Sequence, residues 1–477
     1  MRACACIVLL LVVAGCATTP VNPPITSTDP AAGYRLEARL RDDDAKENLV
    51  ILAFSGGGTR AAAFAYGVLE FLSATTIVDS RGNARRLLDE VDIITGVSGG
   101  SFTALAYGLY GDKLFVDYEQ RFLKRDVQGE LLARALSPAY WSRLMTTGWG
   151  RSELAAQYYD EVLFGGATFA DLDRGHGPLI LASATDISTG ARFVFTQRTF
   201  DILCSDLNAV PLSRAAAASS AVPVVLSAVT ITNYGGTCNA SLPGWATPFL
   251  DSPDPPRPAA RAIRSLRAEQ AMADGARRPF LHLVDGGVSD NVGMRSVLDA
   301  LQILESLHAA GQSTPLDGAR RIVIFIVNSL STPPTDWDAS PSPPSAVDIL
   351  LKAAGTPIDA YSHEAVELLK DTAYRWQMMR RIRASPAFAA NSDPAIAKAL
   401  RVPAASIYPI DVSFAALEDE RERGYLNRQP TSFALPAEAV DRLRAAAATI
   451  IRASPEFRRL LDDVDARIAP KALEGRP

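Results

Sequence analysis

Short apolar runs alternate with helix-like segments along most of the chain, and this alternation restricts the fold more than any other feature. Residues 49–54 are continuously apolar, and residues 321–327 form the most β-like run. Such runs are typical of parallel strands buried on both faces. The alternation therefore predicts a mainly parallel central sheet between two helical layers, a three-layer α/β/α sandwich. The predicted strands are 49–54, 91–95, 178–184, 192–195, 280–284, 321–327 and 407–414, and the main predicted helices are 60–74, 101–110, 294–307 and 360–382.

A serine between glycines follows the second predicted strand. The segment G-V-S-G-G occupies residues 96–100, directly after an apolar run and before a helix of small residues. This is the strand–turn–helix setting of a nucleophile elbow, a sharp turn that exposes a serine hydroxyl. The turn leaves no room for a Cβ atom at Gly96 or Gly100. The pattern predicts Ser98 as the nucleophile of a serine acyl hydrolase, although the pentapeptide alone is weak evidence in a chain rich in glycine and serine.

Three consecutive glycines, Gly56, Gly57 and Gly58, end the first predicted strand, and Arg60 follows at the start of a helix. Unobstructed amides at the positive end of a helix can stabilise an anion. In acyl transfer that anion is the tetrahedral oxyanion. A phosphate cradle is the other binding interpretation, but Gly-Lys-Ser/Thr does not follow the run and the GxGxxG spacing is lacking. A tight strand–helix turn without a ligand remains the structural alternative.

An aspartate ends another predicted strand. Asp285 follows the apolar run 280–284, and Gly286 and Gly287 come directly after it. A carboxylate at the carboxyl edge of a parallel sheet lies where active sites assemble. The alternative is a turn or helix-capping aspartate, a role for which Asp290 or Asn291 is better placed.

Taken together, these motifs resemble the patatin-like phospholipase family. The glycine run with Arg60, the GxSxG segment and Asp-Gly-Gly at 285–287 occur in the family's order, each after an apolar strand. Residues 218–223 are similar to the family's Ala-Ser-x-Ala-x-Pro segment, and residues 184–195 are similar to its strand pair. Ser55 and Ala61 depart from the family's common residues at these positions. The match spans about residues 49–293, and the C-terminal third carries no matching motif.

The resemblance implies a lipid acyl hydrolase of the phospholipase A, lysophospholipase or esterase type, which acts on membrane lipid or another acyl ester without a cofactor or metal. It implies that Ser98 is the nucleophile and Asp285 its general base, a dyad without histidine. The amides of Gly56, Gly57 and Gly58 would form the oxyanion hole. Arg60 would orient that loop or contact an anionic head group, and Gly96, Gly100 and Gly286 would support the geometry.

Two other functions stay open at this point. One is a conventional α/β-hydrolase in which Ser98 and an aspartate act with His308 or His363. The other is a non-catalytic, membrane-anchored lipoprotein scaffold. Residues 140–145 with Trp149, and residues 375–383, mix bulky apolar groups with cations and are candidate lipid-facing patches; helix packing is the alternative for both.

The N-terminus predicts export and lipidation. Arg2 precedes a short apolar stretch that ends in Val-Ala-Gly-Cys at residues 13–16. This resembles the bacterial lipobox, in which the cysteine carries the lipid, and Ala17 after Cys16 favours sorting to the outer membrane of the cell envelope. An ordinary secretory signal cut near Ala17 is the alternative. The net charge of −5 gives no case for nucleic-acid binding.

Cys204 and Cys238 are the cysteines left after export and lipidation, which indicates a disulfide between them, with two free thiols as the alternative. The predicted organisation is a signal peptide (1–15), a Pro/Thr-rich tether (16–46), the hydrolase domain (47–430) with insertions near 240–278 and 331–345, and C-terminal helices (431–477). Nothing in the sequence indicates an oligomeric state.

Overall fold

A computed structural model gives the fold for residues 22–36, 47–144, 150–174, 177–223, 225–255, 259–314, 316–331, 335, 337–389 and 393–469. The strands are β1 (Asn48–Phe54), β2 (Thr76–Asp79), β3 (Ala84–Arg86), β4 (Ile93–Val97), β5 (Leu179–Asp186), β6 (Ala191–Val194), β7 (Val229–Thr232), β8 (Phe280–Asp285), β9 (Arg321–Asn328), β10 (Ser406–Ser413) and β11 (Ala466–Ile468).

The helices that flank these strands are α1 (Gly58–Ser73), α2 (Gly99–Tyr110), α3 (Leu114–Tyr118), α4 (Val127–Leu136), α5 (Pro138–Leu144), α6 (Arg151–Tyr159), α7 (Phe169–Arg174), α8 (Gln197–Ile202), α9 (Leu212–Ser219), α10 (Thr247–Leu250), α11 (Ala260–Met272), α12 (Gly287–Asp290), α13 (Arg295–Ala309), α14 (Ala346–Arg383), α15 (Pro386–Ala389), α16 (Pro394–Ala399), α17 (Glu420–Asn427), α18 (Ala437–Ala453) and α19 (Pro455–Asp463). No helix of the described residues is both long enough and apolar enough to cross a membrane.

The central sheet has the strand order β10-β9-β1-β4-β5-β8-β7, and β6 pairs with the end of β5. The pairs from β10 to β5 are all parallel. The pairs β5–β8, β7–β8 and β5–β6 are antiparallel. The mainly parallel three-layer α/β/α sandwich is therefore confirmed. A separate antiparallel sheet of β11, β2 and β3 lies outside it.

The centre of the sheet is apolar on both faces, as the uninterrupted runs require. In β1, Leu52, Ala53 and Phe54 are fully buried, and β9 is buried from Ile322 to Val327. Helix α1 is buried on almost every side because α18 packs directly on it. A Cβ at Gly67 of α1 would lie 2.6 Å from the Arg444 Cα of α18. This close approach makes α18 part of the same core, so residues beyond 430 are not a separate appendage.

The segment that the sequence assigns to a tether is docked on the domain where it is described. Asn22 is buried, and its side chain donates to the Thr232 carbonyl (2.8 Å) and accepts from the Thr232 amide (2.9 Å). Tyr34 is fully buried, and its hydroxyl accepts from the Ile180 amide at 2.7 Å. Residues 22–36 therefore pack on the domain, because a buried polar group and a buried aromatic group fix the two ends of the segment.

Helix α14 begins earlier than the predicted 360–382. Ser345 caps its N-terminus by accepting from the Asp348 amide at 3.2 Å, and the helix continues past Pro357. The insertion near 240–278 forms α10, α11 and a small apolar cluster of its own around Phe249 and Leu266.

Candidate active site

Ser98 lies in a strained turn between β4 and α2. Its backbone angles are φ 48° and ψ −120°, a region that residues with a side chain rarely adopt. A Cβ at Gly96 would lie 2.7 Å from the Ser101 Cα, and one at Gly100 would lie 2.6 Å from the Ser55 carbonyl oxygen. The flanking glycines are therefore required by close backbone approaches, as the elbow pattern predicts.

The structure brings Ser98 together with Asp285. The Ser98 hydroxyl donates to Asp285 Oδ2 at 2.8 Å, and both residues are buried. The second carboxylate oxygen, Oδ1, accepts from the Gly287 amide at 2.7 Å. This second bond fixes the carboxylate so that its free oxygen faces the serine.

The strand that carries Asp285 is antiparallel to its neighbours, contrary to the expectation of a parallel strand edge. Asp285 pairs with Ala184 of β5, and the adjacent Ser183 pairs with Val97 of β4. Because β8 overlaps only the last residues of β5, its carboxyl end still lies beside the carboxyl end of β4. The aspartate therefore reaches Ser98 from the next strand but one.

Burial raises the pKa of Asp285 to about 6, and the hydrogen bonds from Gly287 and Ser98 oppose this shift. The cause is the loss of water around a carboxylate, since no cation appears among the groups that shift this pKa. An aspartate with a pKa near 6 is a stronger base than an exposed one and is still ionised at neutral pH.

Residues 55–59, the glycine loop, lie beside the serine. A Cβ at Gly56 would be 3.3 Å from the Ser98 Cβ. Gly57 and Gly58 have positive φ values of 137° and 61°. Their amides make no hydrogen bond to another group of the described residues. They are therefore the amides of the loop that an oxyanion could use.

Gly56 does not fit the oxyanion role given to it by the sequence. Its amide donates to the Asn291 carbonyl at 2.8 Å. That bond ties the glycine loop to the turn after Asp285, so Gly56 holds the loop while Gly57 and Gly58 carry the available donors. A glycine is still needed at position 56, because an added Cβ would lie 2.5 Å from Asn291 Oδ1.

Arg60 is buried and engaged with protein groups. Its Nε donates to the Ser329 carbonyl at 2.7 Å and its Nη1 to the Gln429 carbonyl at 2.8 Å. Burial lowers its pKa to about 10, and the Asp359 carboxylate opposes that shift. Of the two roles expected for Arg60, these contacts fit the orientation of the glycine loop and leave the guanidinium poorly placed to meet a head group.

The role of Ser219 escaped the sequence analysis, which named Gly286 and Asp290. Ser219 accepts from the Ser98 amide at 2.9 Å, and its hydroxyl donates to the Ser183 carbonyl at 2.6 Å. The Ala-Ser segment at 218–223 was the signal that pointed to this region, but it did not indicate a contact with Ser98. Gly286 packs against the Ser183 carbonyl, where a Cβ would not fit. The Asp290 carboxylate, at the end of α12, accepts from the Arg295 amide in the first turn of α13 at 2.8 Å.

The histidines that the structure describes, His282, His308 and His363, make no hydrogen bond to Ser98 or Asp285. His282 is exposed on β8 and meets the Thr230 hydroxyl at 3.0 Å. His363 is exposed on α14. The described part of the chain thus offers no third member for a Ser-His-Asp triad.

Other expected features have mixed outcomes. A disulfide joins Cys204 to Cys238.

Residues 375–383 are not a lipid-facing patch at their centre, because Trp376 is fully buried and donates to Glu305 at 2.9 Å. Trp141 is half exposed, whereas Trp149 and the lipidation candidate Cys16 lie outside the described residues. No cluster of three metal-ligating side chains occurs among the residues described.

Comparison with known proteins gives a family match and similar solved structures. The family model "Patatin-like phospholipase" matches residues 52–298, just over half of the chain. Human GIVD cytosolic phospholipase A2, solved with methyl γ-linolenyl fluorophosphonate and terbium chloride, is 14% identical with a TM-score of 0.38. The alignment covers 90% of this chain and 61% of that one, so the chain spans about three fifths of that structure. Another structure of human GIVD cytosolic phospholipase A2 gives a TM-score of 0.35 at 14% identity, over 90% of this chain and 62% of that one. No curated protein matches the chain.

Proposed function

The chain belongs to the patatin-like phospholipase family, and on that premise we propose that it is a lipid acyl hydrolase in which Ser98 is the nucleophile and Asp285 the general base. The observation that carries the proposal is the hydrogen bond from the Ser98 hydroxyl to Asp285 Oδ2, at 2.8 Å. A nucleophile and its base must lie within this reach before a proton can pass between them.

The reaction proceeds in two halves. Ser98 Oγ attacks the ester carbonyl carbon while its proton passes to Asp285 Oδ2. The tetrahedral intermediate places its negative oxygen at the Gly57 and Gly58 amides, and its collapse releases the alcohol, which takes the proton from Asp285. Water then attacks the acyl-Ser98 ester with Asp285 as base, and release of the fatty acid regenerates the serine.

The buried setting suits the single carboxylate to this work. Asp285 must accept a proton from a hydroxyl and later return it to an alcohol or to Ser98 Oγ. The raised pKa of about 6 brings the carboxylate closer to both partners in basicity. The Gly287 amide fixes the orientation of the Asp285 carboxylate. In a Ser-His-Asp triad the histidine base is oriented by a third side chain, and here the backbone amide takes that part.

The decisive experiment uses the full chain in mild detergent with a chromogenic acyl ester and with phospholipid vesicles. We expect ester hydrolysis that Ser98→Ala reduces to the background rate. A fluorophosphonate should add one phosphonyl group to Ser98, located by mass spectrometry of the peptide. Ser220→Ala, a buried neighbouring serine whose hydroxyl donates to the Ala216 carbonyl at 2.8 Å, is the matched control and should still be labelled.

Equal rates for the wild type and Ser98→Ala would reject catalysis by this site and favour the scaffold function. Comparison of phospholipid, lysophospholipid and simple ester rates then identifies which acyl hydrolase subtype the enzyme is. The released fatty acid and the remaining lipid, separated by mass spectrometry, show which ester bond is cleaved.

We also propose that Cys16 carries a lipid anchor at the outer membrane of a bacterial envelope. The docking of Asn22 supports close tethering, because six residues span about 20 Å at most. The anchor would then hold the enzyme near its lipid substrate. Metabolic labelling with an alkyne fatty acid should mark the wild type and not Cys16→Ala, and fractionation of the labelled cells reports the membrane. Equal labelling of both proteins would contradict the anchor.

A further inference from the structure

Residues 428–433, here called the C-terminal loop, lie between α17 and α18 and pack against the glycine loop. The Thr59 amide donates to the Ser432 carbonyl at 2.8 Å, and Gly58 and Ser432 form a short parallel bridge. A Cβ at Gly58 would overlap the Ser432 carbonyl oxygen. The glycine at position 58 is therefore required by a segment that lies more than 370 residues further along the chain.

Arg60 fastens the same two loops together from inside. Its Nη1 donates to the Gln429 carbonyl at 2.8 Å and its Nη2 to the Thr431 hydroxyl oxygen at 3.1 Å. Its Nε donates to the Ser329 carbonyl beyond β9. The guanidinium thus links the first turn of α1 to the C-terminal loop at two adjacent points.

The outer side of the C-terminal loop is also held. Gln128, in the first turn of α4, accepts from the Ser432 hydroxyl at 2.9 Å and from the Phe433 amide at 3.3 Å. The Gln128 amide donates in return to the Phe433 carbonyl at 3.2 Å. The Phe433 ring contacts Phe102 of α2 edge-on, with centroids 5.5 Å apart. The C-terminal loop is therefore connected to the helix that follows Ser98.

A run of glycines has the largest backbone freedom of any sequence, so it cannot keep two amides aimed at one point by itself. Oxyanion donors act only when they are held in place before the reaction. We propose that the C-terminal loop holds the Gly57 and Gly58 amides in their catalytic positions, with Thr431 as a positioning residue that acts through Arg60. This inference rests on the proposed hydrolase function and gives the C-terminal third a part in it.

The test is steady-state kinetics of Thr431→Val on a short-chain chromogenic ester. Valine keeps the shape of threonine and removes the acceptor for Arg60 Nη2. We expect kcat to fall about tenfold with KM changed less than twofold, because the amides that the loop holds act on the transition state more than on the bound substrate. Thr431→Ser should restore most of kcat. Thr449→Val, at an exposed threonine on α18 that bonds only within its helix, should match the wild type.

A double-mutant cycle identifies the route through Arg60. In an Arg60→Lys background, Thr431→Val should lower kcat less than twofold further. Gln128→Ala loosens the outer side of the loop without touching Arg60, and it should lower kcat in both backgrounds. Wild-type kcat in Thr431→Val, or the same loss in both backgrounds, would overturn the positioning role while leaving the hydrolase intact. A wild type no faster than Ser98→Ala would instead overturn the hydrolase function, and the positioning role with it.

Discussion

The Ser98 amide donates a hydrogen bond to the Ser219 hydroxyl oxygen, and that hydroxyl donates in turn to the Ser183 carbonyl. The first bond joins the elbow to α9, and the second joins α9 to β5. They hold Ser98 at a positive φ that costs on the order of 1–3 kcal/mol when nothing supports it. Ser219 is therefore a residue that keeps Ser98 in its strained turn.

Ser219→Ala should lower kcat about tenfold or more and destabilise the fold. The substitution leaves the Ser98 amide and the Ser183 carbonyl without their buried partner, which costs about 1–3 kcal/mol. Chromogenic ester kinetics and thermal unfolding measure the two effects. Ser220→Ala is the matched control, since Ser220 is equally buried but its hydroxyl donates to the Ala216 carbonyl of α9 and not to the elbow. Equal losses in the two variants would show that Ser219 has no special part at the elbow.

Asp285→Asn should separate catalysis from stability. Asparagine cannot accept the Ser98 proton, so hydrolysis should fall by a factor of roughly 10² to 10⁴. At pH 8 the same variant should be more stable than the wild type, because it no longer buries a charge. With the pKa of Asp285 raised from 3.8 to about 6, the gain is on the order of 3 kcal/mol.

The gain depends on pH in a defined direction. Between pH 4 and 6 the folded protein keeps the Asp285 proton that the unfolded chain releases, so the stability of the wild type falls as pH rises through this window. Near pH 4 the carboxyl is neutral in the folded state, and the advantage of Asp285→Asn should largely vanish. Thermal unfolding of both proteins at pH 4 and pH 8 checks this. A variant that is less stable at both values would mean that the carboxylate is needed for folding.

Activity should follow the same ionisation. The base works when it is deprotonated, so kcat/KM for a short-chain ester should rise through about pH 6 and then stay level to pH 8. Circular dichroism at each pH shows whether the enzyme stays folded. A profile that is flat from pH 5 to 8 in folded enzyme would exclude Asp285 as the titrating base.

Local patterns in the sequence were enough to predict the parts of the site but not their assembly. The turn at Ser98 needs small neighbours within five residues, so the elbow can be recognised from one short stretch of sequence. The direction of β8 depends on which neighbour it joins, and an apolar run at 280–284 reads the same in either direction. Nothing next to Gly56 shows that its amide is used by Asn291, which lies on a different strand end.

The contact of Ser432 with Gly58 illustrates the same limit. The two residues meet because α18 packs on α1 through Gly67, a tertiary fit with no local pattern. The predicted domain boundary at 430 therefore falls inside the C-terminal loop, whose Ser432 meets Gly58 of the glycine loop. The early start of α14 has a similar origin, since Pro357 reads as a helix breaker in sequence and is accommodated within the helix.

Replacing the histidines is the test that separates the dyad from a triad. His308→Ala and His363→Ala should each keep kcat within about twofold of the wild type, because neither side chain bonds to Ser98 or Asp285 in the described structure. His282→Ala should do the same, since its ring faces outward from β8. A triad would lose three or more orders of magnitude with its histidine. Ester kinetics on each variant, with Ser98→Ala as the inactive reference, decides between these mechanisms, and a loss of that size at any one histidine would assign it the role of general base.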